Sequence, residues 1–246
     1  MELNTIICGD CLEVMPEIAD KSIDMILCDL PYGTTACKWD TIIPFEPLWE
    51  QYKRIIKDNG AIVLTASQPF TSALVMSNIK MFKYSWVWVK TKASGHLDAK
   101  NKPMKKHEDI LVFGNKGFPN YYPQGLVDGE FKTGRNVDMT GRVYSQYKNH
   151  GTSKKGNYPK TTLEIANPSN KGNLHPTQKP VALFSYLIKT YTNENDIVLD
   201  NCSGSGTTAI SCLETNRKYI CCELDSNYYD ISLKRIDDYN KQLKLF

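Results

Sequence analysis

The chain has no uninterrupted apolar run of membrane-spanning length, and its mean hydropathy is −0.41, so it does not read as a membrane protein. No charged-then-apolar signal stands at Met1-Glu2-Leu3-Asn4, and a cytosolic location is expected. It has only 4 histidines, and Cys8-Gly-Asp-Cys11 finds no second Cys-x-x-Cys or paired histidines to complete a metal site. No metal is expected. The 8 cysteines, at positions 8, 11, 28, 37, 202, 212, 221 and 222, read instead as small buried hydrophobes of a reducing compartment. No Gly-Lys-Ser/Thr closes a loop, which excludes a P-loop nucleotide site. Internal repeats and low-complexity tracts are also lacking.

What is present suits a single large α/β domain with a small insert: 246 residues, 41% hydrophobic and 11% aromatic. Strands are predicted at 5–8, 23–28, 61–64, 84–90, 110–113, 197–200 and 218–223, with 84–90 pairing to 110–113. Helices are predicted at 12–18, 45–56 (stopped by Asp58-Asn59-Gly60), 70–79, 180–191, 207–216 and 227–243. Strands alternating with helices imply a mainly parallel sheet with right-handed crossovers. From Thr91 to Gly172 glycine, asparagine, tyrosine and lysine dominate and periodicity fades, the texture of a loop-rich insert. Charge is uneven too. Net charge is +3, yet from Lys90 to Pro180 there are 16 basic residues against 7 acidic ones. The remainder holds 14 against 20, so a basic segment sits in an otherwise acidic chain, the footprint of a polyanion partner.

Two motifs carry chemistry. Asp29-Leu-Pro-Tyr32 follows an apolar strand, placing a carboxylate, a free backbone carbonyl and an aromatic ring at its carboxyl edge, where open α/β sheets bind ligands. A carboxylate and a carbonyl together can hold both hydrogens of an exocyclic amine, with the ring free to stack on a base. The second motif, Asp200-Asn-Cys-Ser-Gly-Ser-Gly-Thr-Thr208, joins a strand to a helix. Its glycines allow close backbone approach, and the hydroxyls and free N–H groups at the helix start favour an anionic group. An acidic residue, Glu223, ends the next strand, where dinucleotide folds grip a ribose diol.

In their order, Asp29–Tyr32, then His175-Pro-Thr-Gln-Lys-Pro180, then Asp200–Thr208 resemble the S-adenosylmethionine-dependent amino-methyltransferases of DNA in the β-class arrangement. The resemblance covers the chain outside roughly 118–172. It implies a Rossmann-like class I methyltransferase fold with permuted motif order, built from 1–117 and 173–246, and a target-recognition insert at 118–172. It further implies S-adenosyl-L-methionine as cofactor and double-stranded DNA as partner. Family members often form homodimers, and a two-fold complex suits a palindromic site.

Carried over by position, Asp29, Leu30, Pro31 and Tyr32 form the catalytic segment. Asp10 matches the acidic contact to the cofactor's adenine, beside Cys11, and Glu223, beside Leu224, matches the ribose contact. Asp200, Cys202, Ser203, Gly204, Ser205, Gly206, Thr207 and Thr208 form the cofactor loop; His175, Thr177, Gln178 and Lys179 match the segment closing over the methionine carboxylate. Trp39 is a candidate second face for the base. Trp88-Val-Lys90 and His107-Glu-Asp-Ile110 resemble segments near the base pocket, and Arg135, Arg142, Gln146 and Asn149 are candidates for DNA contact. Leu30 replaces the usual first proline; Cys202 stands where phenylalanine is usual, which is expected to loosen packing on the cofactor. Methylation at cytosine C5 is disfavoured, because it needs a nucleophilic cysteine, usually after proline, and no Pro-Cys occurs. By family analogy, Asp in the first position favours adenine N6 over cytosine N4. The alternatives are a methyltransferase of protein or RNA, and a nucleic-acid-binding module without catalysis.

Overall fold

The computed structural model describes residues 1–34, 40–133, 151–168 and 178–243. Two compact units are present, one of residues 1–122 and 161–246 and one of Pro123–Lys160. The smaller unit carries an antiparallel hairpin of β6 (Val127–Thr133) and β7 (Gly151–Gly156), two strands inside the stretch read as loop-rich.

The larger unit is built on an eight-stranded sheet. Its strands are β1 (Thr5–Cys8), β2 (Ile23–Cys28), β3 (Ile56–Ala66), β4 (Phe82–Ser94), β5 (Lys105–Gly114), β8 (Thr162–Glu164), β9 (Ile197–Asp200) and β10 (Lys218–Glu223). They lie in the order β1-β10-β9-β2-β3-β5-β4-β8. The first five run parallel; β5 is antiparallel to β3 and to β4, and β8 adds parallel to β4. The helices are α1 (Cys11–Val14), α2 (Phe45–Ile55), α3 (Phe70–Ser77), α4 (Val181–Tyr191), α5 (Thr207–Glu214) and α6 (Ser226–Leu243).

Strand side chains alternate between two cores, as the pleat requires. Ile26, Cys28, Ile62, Leu64, Leu111 and Phe113 pack on one face with Leu48, Trp49, Tyr52 and Ile55 of α2 and Phe70 and Leu74 of α3. Met25, Leu27, Ala61, Val63, Ile110 and Val112 pack on the other with Leu183, Phe184, Leu187 and Ile188 of α4 and Ala209 and Cys212 of α5. Each fully buried aliphatic side chain contributes about 1.5–3 kcal/mol, so the two faces together hold the sheet between its helices.

Helix α2 ends at Ile55, earlier than its apolar spacing and the Asp58-Asn59-Gly60 stop suggest. The chain enters β3 at Ile56, and the register with β2 shifts between the Ile23 and Met25 pairings. Residues 57–60 are the slack in that shift.

From β2 the chain moves to one side of the sheet through β3, and from β9 to the other through β10, so the order reverses between β9 and β2. Such a switch point opens a crevice at the carboxyl ends of the strands. Asp29, Asp200 and Glu223 all stand at that edge.

Candidate active site

Asp29 directly follows β2 and presents its carboxylate to a cavity of about 700 Å³ at the switch point. One oxygen, Oδ1, accepts from the Tyr32 hydroxyl at 2.7 Å and from the Thr65 hydroxyl of β3. The other, Oδ2, accepts from the Lys179 ammonium at 2.5 Å. Lys179 also lies 3.3 Å from Glu108 on β5, whose second oxygen pairs with Lys90 of β4. Four charged groups thus alternate in sign across the cavity wall: Asp29, Lys179, Glu108, Lys90. Burial would lower the Lys179 pKa, but the Asp29 and Glu108 carboxylates beside it outweigh burial and hold it above its ordinary value. Burial, then the charges of Asp29 and Glu108, pushes the Tyr32 phenol up, so it stays a neutral donor.

A second carboxylate shapes the loop. Asp40 is buried, and its Oδ1 accepts from the backbone N–H of Tyr32 (2.7 Å) and Gly33 (2.9 Å), while Oδ2 accepts from Thr34 N–H (2.9 Å). Three N–H bonds to one carboxylate fix the turn that aims the Leu30 carbonyl and the Tyr32 ring. The Tyr32 ring stacks on Phe70 at 5.2 Å between centroids, with 23° between the planes.

The glycine loop lines the same cavity. Gly204 and Gly206 have φ of +53° and +79°, and Gly206 is the residue before α5. Asp200 is buried beneath the loop, accepting from Cys202 N–H (3.0 Å) and the Thr208 hydroxyl. Burial pushes its carboxyl up to about 6. Glu223 accepts from Gly204 N–H (2.6 Å) and Asp225 N–H (2.8 Å), and burial raises its carboxyl as well. Asp10 caps α1 by accepting from Leu12 N–H at 2.8 Å. Gln178 meets the Ser205 hydroxyl at 3.1 Å, and Arg235 of α6 donates to the Ser205 carbonyl (3.0 Å) and the Thr207 hydroxyl (3.1 Å). Ser203 Oγ is buried and, among the described residues, has no hydrogen-bond partner. An orphaned hydroxyl on a glycine loop beside a carboxylate fits a polar ligand.

The model of the N6/N4 methyltransferase family, described as DNA methylase, matches residues 23–234. The chain belongs to this family. It is 32% identical to the DNA adenine methyltransferase YhdJ of Escherichia coli K12, over 96% of this chain and 83% of that protein. Among solved structures, the M1.HpyAVI–SAM complex superposes with a TM-score of 0.65 at 22% identity, covering 94% of this chain and 98% of that one. The cytosine-N4-specific PvuII DNA methyltransferase superposes with a TM-score of 0.67 at 16% identity, covering 93% and 84%. The protein is therefore a DNA amino-methyltransferase of the N6-adenine/N4-cytosine type, on a Rossmann-like class I fold.

Within the methylase fold, Asp29, Leu30, Pro31, Tyr32, Asp10, Cys11, Gln178, Lys179, Asp200, Cys202, Ser203, Gly204, Ser205, Thr207, Glu223, Leu224 and Lys90 all line the one cavity. Gly206 and Thr208 stand behind it, one shaping the loop and the other bonded to Asp200. Trp39, Arg135, Arg142, Gln146, Asn149, His175 and Thr177 lie outside the described residues. Sequence reasoning assigns Lys179 to the cofactor segment; the structure sets its ammonium on Asp29 and Glu108. It misses Thr65, Phe70 and Arg235, whose roles come from contacts remote in sequence, and Asp40, which folds back on the loop six to eight residues before it. It also misses Asn201, which joins the Tyr52 hydroxyl (2.5 Å) to the Sγ of Cys11 and of Cys202 (3.5 Å each). Cys8 is exposed, unlike Cys11, Cys28, Cys212, Cys221 and Cys222, which are buried. Burial pushes the Cys28 thiol up, and a hydrogen bond with Cys202 together with burial pushes Cys11 up, so both are neutral thiols.

Proposed function

We propose that this methylase transfers a methyl group from S-adenosyl-L-methionine to the N6 amine of an adenine swung out of duplex DNA. The observation that carries the reading is the Asp29 carboxylate, held at the end of β2 beside the Leu30 carbonyl, in the same cavity as the glycine loop and Glu223. The M1.HpyAVI complex was crystallised with the cofactor, and the residues here fit that group. Glu223 has lone pairs left for a ribose diol, Ser203 has a free hydroxyl, and Gly204 and Gly206 leave room for close approach. When bound, S-adenosylmethionine supplies a methyl group activated by its sulfonium.

The protein's part is positioning and electrostatics. An exocyclic amine is a poor nucleophile because its lone pair is delocalised into the ring. Hydrogen bonds from its two hydrogens to Asp29 and the Leu30 carbonyl favour the tetrahedral nitrogen that forms during attack. Oδ1 of Asp29 is already engaged by Tyr32 and Thr65, and Oδ2 by Lys179, so the open lone pair on Oδ2 is the one left for the amine. Inside a duplex that amine is out of reach, so the base must be flipped into the cavity. Reading of sequence falls to the insert at 118–172, with Arg135 and Arg142 as DNA contacts.

Asp in the first motif position and the 32% identity to an adenine methyltransferase support adenine. The test is incubation with labelled S-adenosylmethionine and unmethylated duplex DNA, followed by digestion to nucleosides. N6-methyladenine is expected; N4-methylcytosine would overturn the base, and no labelled nucleoside would overturn DNA as substrate.

A further inference from the structure

Outside the 118–172 insert, a second element of this chain carries a basic, exposed surface. Strands β4 and β5 continue past the sheet as a hairpin, and every residue from 91 to 107 is exposed. Between Thr91 and Lys106 there are five lysines, Lys92, Lys100, Lys102, Lys105 and Lys106, against one acid, Asp98. Asp98 pairs with Lys102 at 2.8 Å in an exposed pair that contributes little to stability and does not neutralise the hairpin. At the tip, Leu97 is 88% exposed, the most exposed large hydrophobic among the described residues. The fold gives it almost no apolar contact.

Position decides what the hairpin faces. β5 is antiparallel to β3, so its first residues extend beyond the carboxyl edge where Asp29 stands. Ser94 and Lys105, on the two arms, line the same cavity as Asp29. A basic, solvated hairpin on the lip of a cavity that takes a single base fits the duplex that base leaves. We infer that the 91–107 hairpin docks on the target duplex. Its lysines contact phosphates flanking the site, and Leu97 enters the stack where the base departs, as apolar wedges do in bent or unstacked DNA. The inference rests on the proposed DNA reaction but is tested apart from it.

Binding of a fluorescein-labelled 30-base-pair mixed-sequence duplex is followed by anisotropy over a salt series. Because these side chains are solvated, the variants are expected to melt as wild type does and to keep the thermal shift on adding S-adenosylmethionine. In Lys100→Ala/Lys102→Ala/Lys106→Ala the slope of log affinity against log salt falls by about one to three. Unchanged slope and affinity would overturn the docking, and tighter binding to duplex RNA would overturn DNA as the occupant. Leu97→Ala is expected to keep the slope and lose roughly ten-fold or more in methyl transfer to plasmid DNA, with a smaller rise of 2-aminopurine fluorescence at the target base. A wild-type rate in that variant would overturn the wedge. Failure of the wild type to methylate DNA would instead count against the reaction, since the anisotropy measurement is independent of turnover.

Discussion

Lys179 bonds Asp29 on one side and Glu108 on the other, with only 7% of its side chain exposed, so its charge is what lets two carboxylates share one wall. Removing it in Lys179→Met leaves those carboxylates facing each other. Asp29 keeps 22% exposure, so the loss is less than for a fully buried pair, on the order of 2–3 kcal/mol, with kcat falling more than KM rises. Adding Glu108→Gln restores the local charge balance, and the double variant is expected to unfold at higher denaturant than Lys179→Met alone; additive losses would remove the coupling. Asp200 gives a pH signature. Its carboxyl titrates at about 6 in the fold against 3.8 unfolded, so folding favours the protonated form. Its contribution is fullest below pH 4 and is lost as pH rises through 6. The stability of wild type minus that of Asp200→Asn should therefore fall by on the order of 2 kcal/mol between pH 4 and 7, measured by urea titration. A difference that does not vary with pH would refute the burial argument.

At the scale of elements, the β2–β3 junction depends on a glycine. A Cβ at Gly60 would come within 2.8 Å of the Asp24 carbonyl oxygen and of Ile56. The backbone oxygen cannot retreat without breaking the pairing of the two central strands. Gly60→Ala is expected to cost about 1–3 kcal/mol, lowering the melting temperature by several degrees while leaving the active-site loop in place. An unchanged melting temperature would mean the register slip absorbs the methyl group. The loop after β2 is held by a side chain just beyond it: Asp40 ties three successive N–H groups that no helix or strand satisfies.

Over the whole molecule, the segment proposed as catalytic comes from the early part of the chain and the loop proposed to hold the cofactor from the late part, joined where β2 pairs β9. Ligand binding at that seam should stabilise the larger unit as one. At a hundred-fold excess over Kd, S-adenosylmethionine is expected to add about 2.7 kcal/mol, seen as a rise in melting temperature. Asp29→Ala should keep that rise and its DNA affinity while losing turnover. Wild-type rates in the variant would sink the mechanism. Among the described residues no helix is long and apolar enough to cross a membrane.

By itself the sequence determined the class of fold, because strand and helix periods alternate strongly at Ile23–Cys28, Ile197–Asp200 and Val181–Tyr191. It also marked Asp29–Tyr32 and the Gly204–Gly206 loop, since both pair unusual local chemistry with a strand end. The hairpin of β6 and β7 and the short β8 stayed illegible: a glycine- and lysine-rich stretch carries little period, and pairing alone defines such strands. Only tertiary structure brought Lys179 to Asp29 across 150 positions, Thr65 and Glu108 to the same wall, and Asp40 under the loop. Those contacts depend on strand order and register, and a charge in a sequence carries no record of the partner that the fold will set beside it.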